Sequence, residues 1–235
     1  MTWLISEFAT ASARIGARHR DFLAQAGVLR VDAAHTSDTG WRMVGGCLEP
    51  VPAEPQTYPA RRLVGWSQVW ADAGADGLSG AFEPVSDGPQ PPGTEIVKAF
   101  VVPVGASDPD TGMWAEVWDL VAFNLAQPGR WWLRSGLADL LGEDHVEACA
   151  ESGAPVQLVA TPLDWLRAGG DAACVLDWSR VDPRDVFARC RRVEPASPDV
   201  GRLLKTRLRQ LARTPFVIGE PGALTGGAPA ETVHA

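Results

Sequence analysis

Nine basic side chains fall between residues 184 and 213: Arg184, Arg189, Arg191, Arg192, Arg202, Lys205, Arg207, Arg209 and Arg213. Three acids accompany them, Asp185, Glu194 and Asp199. The segment carries +6 (nine bases less three acids) in a chain of net charge −8, so the remainder carries −14. Guanidinium groups suit forked contacts to phosphates and carboxylates. Within the segment, VGRLLKTRLRQLAR has helical spacing. Val200, Leu203, Leu204, Leu208 and Leu211 line one stripe, and Arg202, Lys205, Arg209 and Arg213 fall on another face. That face reads as a partner-binding surface for an acidic protein or for nucleic acid. The acidic remainder opposes a duplex and permits self-association through the basic helix.

A second chemistry would use carboxylates. Asp164 and Asp177 sit near the ends of apolar runs, and Asp119 is a more distant candidate. A metal-dependent phosphate-ester enzyme holds Mg²⁺ with such groups when they cluster. Each has a plainer use: Asp164 as first-turn helix charge, Asp177 as the cap of the next turn.

Other constellations are incomplete. Gly77-Leu78-Ser79-Gly80-Ala81 half matches a nucleophile elbow, with no strong strand before it. The stretch from Asp72 to Gly77 lacks the third ligand and closing Glu of a calcium loop. No phosphate-cradling GxxxxGK[ST] or GxGxxG is present. Cys47, Cys149, Cys174 and Cys190 are scattered without a CxxC or a nearby His pair, so no zinc site, metal or cofactor is expected. Cys174 reads as a small buried hydrophobe, and a reducing, cytoplasmic setting follows. No run approaches a membrane span, and the N-terminus lacks the basic start of a secretory signal. Lys98 and Lys205 are the only lysines, as a GC-rich bacterial genome would give. Ten tryptophans, mostly in apolar patterns, read as core.

The elements that would position these groups are clearest from 155 to 213. The runs 155–160, 172–178 and 190–194 are each followed by a helix start: Thr161-Pro162, Asp182-Pro183 and Ser197-Pro198. An oxygen-bearing N-cap before proline suits a first helical turn, where the missing N–H costs nothing. Strand–helix alternation of this kind predicts a small parallel sheet. Upstream, the pattern predicts an amphipathic helix over 3–26 closed by Gly27, with His19 at its surface or core edge. Two short strands in 28–48 suggest a hairpin. Proline-rich stretches 50–59 and 84–93 read as linkers around a short helix bearing Trp66 and Trp70. Residues 95–104 predict a strand, 114–125 suit strand or helix, and Ser135 is expected to cap a helix that follows.

The stretch VQLVATPLDWLRAGGDAACVLDW resembles the opening of a Toprim domain, the small α/β module of primases, topoisomerases and related nucleases. Pro162, Asp164, Leu166 and Gly169 match that pattern, and Asp199 and Gly201 match the later helix loosely. The family's metal-binding glutamate would fall at Ala160 or Thr161, and its Asp-x-Asp pair is missing. The resemblance therefore implies a degenerate, non-catalytic module in a replication or mobile-element setting.

The expected class is α/β or α+β, with one mixed sheet, a C-terminal parallel strand–helix run and an N-terminal helix–hairpin element. The expected division is 1–49 helix and hairpin, 50–93 linkers around a short helix, 94–218 α/β core and 219–235 disordered tail. The expected function is a non-catalytic binding or adaptor protein, with nucleic-acid association open, acting through the basic helix 200–213. A metal-dependent phosphate-ester enzyme and a structural subunit of a larger assembly are the alternatives.

Overall fold

The computed structural model describes residues 2–33, 36–44, 47–57, 61–72, 79–107 and 114–213. It is of mixed α and β class, as expected. The single N-terminal helix is instead two, α1 (Thr2–Ala13) and α2 (Ala17–Gln25), broken at Gly16. Gly16 donates its N–H to His19 Nδ1 at 3.1 Å, which starts the second helix. Gly27 follows α2 at φ +85°, the left-handed turn that favours glycine after a helix.

β1 (Asp32–Ala33) is short. β2 (Thr36–Val44) and β3 (Cys47–Thr57) form an antiparallel pair in which Trp41 lies opposite Pro50. A hairpin thus forms, but later than 28–48 suggested, and residues 50–57 of the first proline-rich stretch are strand rather than linker. Among the described residues this is a two-stranded ladder. β4 (Arg61–Arg62) pairs with β1.

A closed five-stranded barrel follows. Its strands are β5 (Gly65–Asp72), β6 (Ser79–Pro84), β7 (Thr94–Ser107), β8 (Trp114–Asn124) and β9 (Gln127–Leu133). They close in the order β5-β6-β9-β8-β7, with β6 and β9 parallel and all other pairs antiparallel. The short helix expected around Trp66 and Trp70 is therefore strand β5. Spacing of four puts two side chains on one face of a strand as well as of a helix.

Alternation sorts the barrel residues into two apolar sets. Val69, Phe82, Val101, Leu120 and Trp132, one from each strand, cluster with Leu4 and Phe8 of α1. This set fills the barrel, and α1 lies across one end. Gly80 leaves room beside it, since a Cβ there would sit a tight 3.0 Å from Trp132 Cδ1. The other set, including Val102, Phe123 and Trp131, faces outward against Trp165, Leu166 and Leu176 of the C-terminal half.

That half contains β10 (Leu140–Leu141), α3 (Glu143–Ser152), β11 (Val156–Val159), α4 (Pro162–Arg167), β12 (Ala173–Val175), α5 (Pro183–Val186), β13 (Val193–Pro195) and α6 (Pro198–Arg213). The sheet order is β10-β12-β11-β13; β11 runs parallel to β12 and β13, and β10 is antiparallel to β12. The one mixed sheet expected from 95 to 194 is thus two structures, a barrel and a four-stranded sheet, sharing the core between them. Gly142 makes the tight turn into α3 at φ +88°, where a Cβ would lie 2.1 Å from the Ala172 carbonyl. No helix among the described residues is long and apolar enough to cross a membrane. The tail 219–235 lies outside the described residues.

Candidate functional site

All three proline-marked helix starts form where the sequence placed them. Thr161 caps α4, accepting the Asp164 N–H, and Asp182 caps α5, accepting the Arg184 N–H at 2.9 Å. Ser197 receives the Val200 N–H at the start of α6.

α6 is held along one side. Val200 is buried and Leu204 partly so, both against the core under α3 and α5. Arg207 donates to the Val181 carbonyl at 3.0 Å and the Ser179 carbonyl at 2.6 Å. These bonds tie the middle of the helix to the loop after β12. The sequence counted Arg207 among nine bases without distinguishing it. Its place three residues after Leu204 and seven after Val200 was the available signal.

Arg202, Lys205 and Arg209 are exposed on α6. Arg202 is paired with Asp199 on its own helix. Lys205 and Arg209 have no ion-pair partner among the described residues. The side chain of Arg213 lies outside the described ones. Leu203, one of the apolar stripe, is 49 % exposed between Arg202 and Leu204. The stripe is wider than the surface available to cover it. The helix thus presents a basic face with one apolar side chain in it. Other bases of the segment are spent locally: Arg184 on Asp182 at 2.6 Å and Arg192 on Glu194 at 2.9 Å. The Arg184 bond holds the Asp182 carboxyl below its ordinary value.

Asp164 and Asp177 both follow the C-terminal ends of parallel strands, β11 and β12, as the sequence implied. Each is occupied locally. Asp164 accepts from Thr161 Oγ1 and from Arg167 Nη1, both at 2.7 Å. Asp177 accepts from the Ser179 N–H at 2.8 Å and its hydroxyl at 2.6 Å. Burial acts to raise the Asp177 carboxyl, but the Ser179 bonds and the Arg180 charge outweigh it and leave it below the ordinary value. Among the described residues, no three His, Cys, Asp or Glu side chains lie close enough to hold a metal ion.

Asp119 is fully buried in β8 and does a different job. Its Oδ1 accepts from the Leu120 and Ser135 N–H groups and its Oδ2 from those of Leu137 and Ala138, at 2.8 to 3.0 Å. Four backbone donors saturate a carboxylate. The helix expected to start at Ser135 does not form there, because the amides that would open it are turned toward Asp119; the helix begins at Glu143.

Cys174 is fully buried, and burial pushes its thiol up, away from reactivity. His19 stacks on Trp66 with ring centroids 4.6 Å apart, a core-edge position. Ser79 opens β6; residues 73–78, with Gly77 and Leu78 of the half-matched elbow and most of the calcium-like turn, lie outside the described residues. No family model, no characterised protein and no solved structure matches this chain.

Proposed function

We propose that the chain is a non-catalytic binding or adaptor protein whose contact surface is the basic face of α6. The observation that carries this reading is the division of labour along that helix. Val200, Leu204 and Arg207 fasten it, while Lys205 and Arg209 stand exposed with no ion-pair partner among the described residues. A cation pair held on an anchored helix loses little freedom on meeting an acidic or phosphate-bearing partner. The candidate carboxylates support the same reading, since Asp119, Asp164 and Asp177 are each engaged in local structure. A degenerate Toprim-like module at 155–213, working in a replication or mobile-element setting in the cytoplasm, would use its surface in this way.

The test is charge reversal. Arg202→Glu with Arg209→Glu alters two exposed positions and is expected to leave the circular dichroism spectrum unchanged while partner binding is lost. Binding retained by the folded double variant contradicts the proposal.

A further inference from the structure

Only two polar side chains among the described residues are buried, Asp119 and Ser67. Asp119 is saturated. Ser67 lines a cavity of about 130 Å³ at the barrel end that α1 crosses. Barrel mouths are a preferred place for small-molecule sites.

The floor of this cavity is apolar, made by Phe82, Val101 and Leu120 of the barrel-filling set. Its rim comes from Glu7 and Thr10 of α1 and from Arg14, the residue that follows the helix. Arg14 Nη1 donates to Ser67 Oγ, and Ser67 Oγ donates to the Gln68 carbonyl, each at 3.2 Å. Both contacts are long for their type and readily exchanged for a better partner.

The two charged side chains of the rim, Glu7 and Arg14, are not paired with each other. Glu7 is already paired with Arg134 at 3.2 Å. Burial raises the Glu7 carboxyl despite the lowering effect of Arg134. The charge of Glu83, which alternates with Phe82 on β6, also acts to raise it. Arg14 has no acidic partner among the described residues, which leaves its guanidinium without a direct ion pair beside the apolar floor.

We propose that the barrel mouth binds a small monocarboxylate, its carboxylate on Arg14 and the Ser67 hydroxyl and its aliphatic body on Phe82, Val101 and Leu120. An engineered apolar cavity of about 150 Å³ holds benzene, so a chain of about four or five carbons is the matching size. The site is separate from α6 and does not depend on the reading given to that helix.

Butyrate is the probe, with butylamine as the control of equal length and opposite charge. Titration of the full ¹⁵N-labelled chain is expected to move the amide signals of Thr10, Ala11, Ser67 and Leu120 with butyrate and not with butylamine. Arg14→Met, which keeps most of the aliphatic stem of an exposed residue, is expected to weaken butyrate binding by about ten-fold or more, with Arg14→Lys between the two. The dispersion of the amide spectrum checks that each variant is folded. The proposal is overturned if butyrate moves none of these signals, if butylamine binds equally well, or if folded Arg14→Met binds butyrate as the parent does.

Discussion

The Asp119 carboxylate in β8 accepts the backbone N–H of Ala138 at 3.0 Å, nineteen residues further along the chain. With the Ser135 and Leu137 amides on the same carboxylate, this bond fixes how the chain leaves the barrel and enters the four-stranded sheet. Replacing Asp119 by Ala would strand buried donors in the interior. The expected cost is about 4 kcal/mol in urea unfolding, since orphaned buried donors each lose their full solvation. A loss below about 1 kcal/mol would show that the crossing is fixed by packing alone.

Arg207 is expected to matter to α6 and little to the rest. Arg207→Met removes the bonds to the Ser179 and Val181 carbonyls while retaining an apolar stem. Hydrogen exchange of the α6 amides is expected to quicken, with the barrel amides unchanged. Equal protection in both proteins would mean that Val200 and Leu204 suffice to seat the helix.

Glu143 opens α3, where the helix dipole favours its charge. Burial, followed by the charges of Glu147, Asp139 and Asp144, nevertheless raises its carboxyl above the ordinary value. A carboxyl raised in the folded state binds its proton more tightly there than in the unfolded chain, so its ionised form detracts from stability. Glu143→Gln is therefore expected to stabilise the protein at neutral pH. The advantage should shrink as pH falls through the raised folded value and vanish below the ordinary carboxylate value. A Gln variant less stable than the parent at neutral pH would place the dipole above burial and repulsion.

What the sequence made legible was local chemistry. Thr161, Asp182 and Ser197 mark helix starts because each cap reaches an amide two or three residues away. The barrel was hidden because its closure depends on pairing β6 with β9, so that Gly80 meets Trp132 across the chain. No local pattern specifies that register. Trp66 and Trp70 misled because a spacing of four satisfies both strand and helix periods. Asp119 looked like a remote catalytic candidate because its partners are main-chain amides, which any sequence supplies. On α6 the basic face was readable from periodicity. The exposure of Leu203 was not, since it depends on what packs over the helix. Arg207 was marked only by its spacing from Val200 and Leu204, because its partners are the main-chain carbonyls of Ser179 and Val181.

The most direct test of the α6 surface is parallel affinity capture from the native host with the parent chain and the Arg202→Glu/Arg209→Glu variant, each with and without nuclease. The account predicts a partner enriched by the parent and lost from the folded variant; its loss on nuclease treatment would identify it as nucleic-acid-borne, and its persistence as an acidic protein. The same partner recovered equally by parent and variant would contradict the role assigned to the basic face.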